Sequence, residues 1–274
     1  MQSRYSKLPI TMLALAGSFA LSPALPAQSA NRSATLPNNG TAPALDPVAM
    51  QALRTMSDQL RGAQSFSFTV RIMREEPGTN GQMLNFYRTI TVQVQRPNRM
   101  RLQTQSDTSD VNLWYDGQNV TIMPVSGRIY TTIPAGATVE SALETLKNQL
   151  QVHMPLRPFL AADPYAFLSD GLASANSIGM ANSGNEQLLH LAFTEPEADW
   201  QLWLSGPNEV LPCRMAVTYK NEPGQPREEI EFSNWRLNAE IPATAFVFSK
   251  PAGAVPAPLS AVRSGNLPQG GQAK

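Results

Sequence analysis

The chain has one cysteine, two histidines and no excess of either charge, and each shortage removes a class of protein. A single cysteine forbids an internal disulfide. Cys213 lies beside Pro212 in the strand-like stretch Val210 to Tyr219, which suits an inert buried thiol better than a reactive one, and it comes far too late to carry a lipid anchor. The histidines, His153 and His190, are 37 residues apart with no cysteine or carboxylate cluster at metal spacing, so no metal and no cofactor are expected. His190 sits in a strand-like run with its ring opposite in direction to Leu189 and Leu191, a structural or surface position rather than that of a catalytic base. No G-x-S-x-G elbow, P-loop or paired-carboxylate motif is present, and no enzymatic activity is expected. A Ser-His-Asp set that converges only in the fold is the arrangement a sequence leaves open.

Charge excludes a further class. Lysine plus arginine and aspartate plus glutamate both number 21, and the cations are scattered singly among strands instead of forming the basic face that phosphate neutralisation needs. No nucleic-acid partner is expected. No hydrophobic run is long enough to cross a bilayer comfortably: Leu8 to Leu21 is apolar, but a span needs roughly 20 residues, and Gly17, Ser18 and Pro23 interrupt it.

That short apolar run is nonetheless informative. Arg4 and Lys7 precede it, and small residues at Ser22, Ala24 and Ala27 follow, the pattern of a cleaved export signal over residues 1–27. The remainder is then a soluble periplasmic protein with no stable membrane anchor and a net charge near −2. Residues 28–45, rich in Asn, Pro, Gly and Thr, read as a disordered leader, and residues 255–274 as a disordered tail. One domain over residues 46–254 lies between them, with no linker or composition break to divide it.

Asp46-Pro47 opens the domain as an N-cap followed by proline at the first helical position, and Met50, Leu53, Met56 and Leu60 recur on one side up to Arg61-Gly62. The period then changes to two. Phe66, Phe68, Val70 and Ile72 alternate with polar residues; Ile90, Val92 and Val94 follow the turn Pro77-Gly78-Thr79-Asn80-Gly81; Met100 and Leu102, then Leu113 and Tyr115, Val120 and Ile122, and Ile129 to Ile133 continue a meander. Thr138 caps a second helix striped with Val139, Leu143, Leu146 and Leu150, and Asp163-Pro164 starts a third bearing Tyr165, Phe167, Leu168 and Leu172. Strands resume around Leu189 to Phe193, Trp200 to Leu204, Met215 to Tyr219 and Ile230 to Phe232.

Consecutive strands joined by short turns make an antiparallel sheet, because parallel neighbours need crossovers. The expected fold is therefore α+β: a curved antiparallel sheet of about ten strands forming an open half-barrel, with three helices covering its concave face. Several strands also carry apolar groups on both faces: Trp114 beside Leu113, Met123 beside Ile122, Trp203 beside Leu202, and Met73 beside Ile72. Two readings explain them, packing under helices and loops or an added ligand cavity. An empty apolar cavity of about 300 Å³ would cost on the order of 7 kcal/mol, so such a space is filled by helical side chains or by a ligand. About 12 buried methylenes would return roughly 10 kcal/mol before association costs. Nine methionines beyond the signal suit either use.

The turn Gln95-Arg96-Pro97-Asn98-Arg99-Met100-Arg101, the segment Trp114-Tyr115-Asp116-Gly117, the run Leu189-His190-Leu191-Ala192-Phe193 with Asp199-Trp200-Gln201-Leu202-Trp203, and the close Phe246-Val247-Phe248 with Pro251-Ala252-Gly253-Ala254 resemble the periplasmic lipoprotein-carrier superfamily. These are the LolA, LolB and LppX-like half-barrels, and within them the chain is similar to a predicted periplasmic branch of unknown function. The resemblance implies a hydrophobic cavity between sheet and helices that shelters acyl chains. Its partner would be a lipid or an acylated ligand, with another envelope protein as the alternative partner of a plugged cavity. Inward-facing positions to line the cavity are Phe66, Phe68, Val70, Ile90, Val92, Leu113, Leu143, Leu146, Leu150, Leu191, Phe193, Trp200 and Leu202. Arg96, Arg99 and Arg101 offer a cationic rim for a headgroup, or else charges that protect a strand edge. Glu228, Glu229 and Glu231 read as solvated strand charge.

Overall fold

A computed structural model describes residues 45–125, 127–150, 153–206 and 208–264. The expected export signal, and the expected leader up to its last residue, Leu45, lie outside the described residues.

Each helix start foreseen from a cap forms as one. Asp46 accepts the Val48 amide at 2.8 Å and opens α1 (Pro47–Gly62), whose buried stripe is Ala49, Leu53, Met56 and Leu60. The second carboxylate oxygen of Asp46 accepts the amide of Ser177 at 2.9 Å, so the cap also ties the helix to a strand. Thr138 accepts the Ser141 amide at 3.2 Å at the start of α2 (Val139–Leu150), and Asp163 accepts the Ala166 amide at 2.9 Å at the start of α4 (Pro164–Ser169). Between them lies α3 (Arg157–Leu160).

Six strands run as one meander: β1 (Ser65–Pro77), β2 (Met83–Gln95), β3 (Arg99–Ser106), β4 (Val111–Tyr115), β5 (Asn119–Pro124) and β6 (Ile129–Pro134). Five more, β7 (Ser174–Ser183), β8 (Glu186–Thr194), β9 (Ala198–Leu204), β10 (Pro212–Tyr219) and β11 (Arg227–Leu237), form a second. The two join in the middle of a single sheet where β1 pairs antiparallel with β11, Phe66 opposite Leu237 and Arg74 opposite Glu228. A short β12 (Val255–Pro256) pairs parallel with β6 at one edge, β7 forms the other edge, and the two edges do not meet, so the sheet is open.

The α+β class and the open antiparallel sheet are as expected; two details are corrected. Among the described residues twelve strands form rather than about ten, and five α-helices rather than three. Strand β7 escaped notice because an edge strand reading Ser-Ala-Asn-Ser-Ile-Gly-Met-Ala-Asn-Ser has no apolar alternation. Helix α3 is a single turn with no side-chain cap, and the last helix, α5 (Leu259–Ser264), lies with β12 in the stretch expected to be a disordered tail. Secondary structure among the described residues thus runs as far as Ser264.

All the helical stripes and one face of the sheet belong to one core. Phe66, Phe68, Val70 and Ile72 of β1 join Leu191 and Phe193 of β8, Trp200, Leu202 and Leu204 of β9, and Ile230 and Phe232 of β11. Against them pack Leu53 and Leu60 of α1, Leu143 and Leu146 of α2, Phe159 of α3, Leu168 of α4 and Val262 of α5. The large groups on the second face have covers of their own. Trp114 lies between the guanidinium of Arg101, 3.9 Å from its ring centre, and Phe248, 5.1 Å away; Phe248 also meets Tyr130 at 4.9 Å. Trp203 stacks on His190 at 4.2 Å, and Met123 is buried. The segment Ala243–Phe246, a 3₁₀ turn, starts a strap that carries Phe248 over that face and then supplies β12 and α5. Packing under the strap therefore accounts for Trp114.

Candidate functional site

A half-open cleft of about 320 Å³ lies where the α2–α3 connection and α4 cross strands β9, β10 and β11. Its sheet wall is Trp200, Met215, Val217, Tyr219 and Ile230; its helical wall is Met154, Pro155, Pro158, Phe167 and Leu168, with Lys147, His153, Arg157 and Glu195 among its polar lining. The strand pattern puts Met215, Val217 and Tyr219 on one row of β10, and Glu228, Ile230 and Phe232 on one row of β11, both on the core face. Phe167 is 42% exposed at the edge of this cleft, with the Arg157 guanidinium over its ring at 5.3 Å.

Beyond Ile230 the core row ends in charge. Glu228 is fully buried, and its Oε1 accepts from Nη2 of Arg88 at 2.8 Å. Its Oε2 accepts from the Tyr219 hydroxyl at 2.8 Å and lies 2.8 Å from Nε2 of His153, which with an ionised Glu228 carries the proton on that nitrogen; the same Nε2 is 2.8 Å from the Tyr219 hydroxyl, and the two rings meet edge-on at 5.2 Å. Arg74, directly across the strand pair, donates to Glu222 at 2.6 Å and covers the Tyr219 ring at 4.7 Å. Burial pushes the Glu228 carboxyl up, but the hydrogen bond and charge of His153, with Arg88 and Tyr219, outweigh it and hold the group below its ordinary value. Burial, reinforced by the charge of Glu228, raises the Tyr219 phenol far above the usual range. At the other end of the cleft Glu195 accepts from Trp200 Nε1 at 2.6 Å, and burial raises its carboxyl despite that bond.

The expected cavity positions come together, but mostly as packed interior. Phe66, Phe68, Val70, Val92, Leu113, Leu143, Leu146, Leu150, Leu191, Phe193, Trp200 and Leu202 are buried in the one core, with Ile90 partly buried against it. Of these only Trp200 lines the cleft. The three arginines go separate ways. Arg96 reaches the Ala161 carbonyl at 2.8 Å and lies 3.7 Å from Glu140, joining the β2–β3 turn to the helices. Arg101 donates to the carbonyls of Leu102 and Leu113 and to Asn112, and burial draws its guanidinium down to about 10, which leaves it charged at neutral pH. Arg99 is half-buried opposite Gln95.

Tyr219, Arg74 and Arg88 were not singled out by the sequence as site residues, and Glu228 and His153 were considered there only as solvated charge and as a histidine without metal partners. The reading of Glu228 as solvated is corrected: it is fully buried, whereas Glu231 is exposed. Parity carried the signal, because Glu228 shares the period-two row of Ile230 and Phe232.

Architecture and cleft define an α+β protein built on an open, helix-covered antiparallel sheet. The family model described as "Predicted periplasmic protein (DUF2092)" matches residues 49–259, and the chain belongs to that family. It is accordingly periplasmic, as the sequence led one to expect. Solved structures to which the chain is similar include the lipoprotein LppX of Mycobacterium tuberculosis, 14% identical, covering 72% of this chain and 99% of that one with a TM-score of 0.46. LprF of Mycobacterium bovis is 13% identical over 78% of this chain and 100% of its own, with a TM-score of 0.41. A LolA superfamily protein of Nitrosomonas europaea is 12% identical over 73% and 96%, with a TM-score of 0.37. No curated protein matches the chain.

Proposed function

We propose that the protein is a soluble, non-enzymatic periplasmic binding or carrier protein that encloses a lipid, an acyl chain or the acyl group of a lipoprotein. On this reading the helix-covered face is the hollow of a half-barrel, and the ligand enters beneath the α2–α3 connection. The observation that carries it is the cleft of about 320 Å³, apolar on both walls through Met154, Phe167, Leu168, Trp200, Met215, Val217 and Ile230. That volume is at the small end of the roughly 300–1,000 Å³ typical of ligand pockets, so it admits the end of a chain, and a longer ligand must displace helical side chains. Burying each methylene would contribute about 0.8 kcal/mol. A headgroup left at the mouth would meet Lys147 of the helical wall; Arg96 and Arg101 are engaged elsewhere, and Arg157 is paired with Glu144.

The test is protein taken gently from its native periplasm, extracted and analysed for lipid by mass spectrometry, followed by titration of stripped protein with a dansyl-labelled undecanoic acid. Co-purified lipid and saturable quenching of Trp200, reduced in Phe167→Ser, are expected. Protein that is repeatedly lipid-free and leaves the probe unbound overturns the proposal.

One observation favours a second reading, an envelope interaction or sensor module with a plugged cavity: Leu143, Leu146 and Leu150 are only 1%, 1% and 6% exposed. A permanently filled interior predicts a melting temperature indifferent to added lipid and crosslinking to one protein partner, whereas a ligand that binds only the native state must raise the melting temperature.

A further inference from the structure

We infer that His153 is a latch: it fastens the loop stretch from His153 to Leu156, ahead of α3, to the sheet through Glu228 and the Tyr219 hydroxyl, and the cleft accepts a ligand larger than its present volume only when those contacts are undone. The second clause rests on the proposed ligand-binding role; the latch itself does not.

Glu228 has three partners, and they differ in how easily they can leave. Arg88 and Tyr219 are fixed on strands β2 and β10 of the same sheet, at 2.8 Å each. His153 is on the loop, 36% exposed at its side chain, and is the one partner that can withdraw toward solvent without moving the carboxylate. When it withdraws, Glu228 keeps two charge-supporting donors, so the buried charge is never left bare. Arg74, which faces Glu228 across the strand pair, keeps its own partner in Glu222.

The stretch from His153 to Pro158 has a fixed point at its far end. Phe159 is fully buried and packs on Phe232 with ring centres 4.9 Å apart, so α3 holds its place. Ahead of it Pro155 and Pro158 have no amide to donate, and the amide of Arg157 is held by the Met154 carbonyl at 3.1 Å. Met154, Pro155 and Pro158 are also the helical wall of the cleft, so the piece of chain the latch holds down is the piece that must rise to enlarge it.

The test compares hydrogen exchange in ligand-free wild type, His153→Ala and His153→Gln, the last keeping an N–H donor long enough to reach Glu228. At least tenfold faster exchange at the Arg157 amide is expected in His153→Ala, with amides of β10 and β11 unchanged and wild-type protection largely restored in His153→Gln. Uptake of the dansyl-labelled undecanoic acid should be several-fold faster in His153→Ala. Arg157 exchange within twofold of wild type in that variant overturns the latch, whatever the probe does. Faster exchange with no probe bound by any variant supports the latch and overturns the ligand-binding role; probe binding with unchanged exchange overturns the latch alone.

Discussion

Glu228 shows how one residue joins a strand's chemistry to its stability. A carboxylate buried beside Ile230 and Phe232 is tolerated only because Arg88, Tyr219 and His153 satisfy it, and removing its charge leaves Arg88 without a counter-ion. Glu228→Gln should therefore lose about 3 kcal/mol at neutral pH. Its folded-state carboxyl lies below the ordinary value, so the stability it supplies is fully present above the unfolded value of about 4.5 and disappears as pH falls through the folded one. Urea unfolding of both proteins should show a wide gap at pH 7 that closes in acid; a gap independent of pH would contradict this account.

At the level of elements, the strap from Ala243 onward settles what the second-face aromatics are for. Phe248 touches both Trp114 and Tyr130, so Phe248→Ala should cost about 2 kcal/mol in unfolding experiments and leave probe binding in the cleft intact, because the strap crosses the opposite face. The elements that could be read in the amino acids alone were those with a local cause: Asp46-Pro47 and Asp163-Pro164 as helix starts, Thr138 as a cap, and the alternation from Phe66 to Ile72. β7 could not be read this way, since Leu191 and Phe193 on its neighbour supply the apolar surface that its own Ser and Asn residues lack. The site was legible only in part. Trp200 was expected and lines the cleft, but the partnership of His153 with Glu228 spans 75 residues and depends on where a loop lands, which no local pattern encodes.

For the whole molecule, an open sheet has two edges to protect. The β6 edge is covered by β12, and α5 adds Val262, 1% exposed, to the core. A chain ending at Ala254 should consequently melt at lower temperature and self-associate in size-exclusion chromatography, whereas removal of a dispensable tail would change neither. The edge at β7 is partly guarded by Asp46, which takes up the Ser177 amide, and by Leu45, which bridges to Ala175.

The junction of β1 with β11 has a kinetic meaning. Each meander can zip up from neighbouring segments, but the central ladder must unite strands whose partners, from Arg74 with Glu228 to Phe66 with Leu237, are 154 to 171 residues apart, with the loop-closure entropy of that span set against it. Until that seam is made, each half exposes a bare hydrogen-bonding margin flanked by Phe66 and Val70 or by Ile230 and Phe232, so the molecule is most vulnerable to mispairing at the step that completes it.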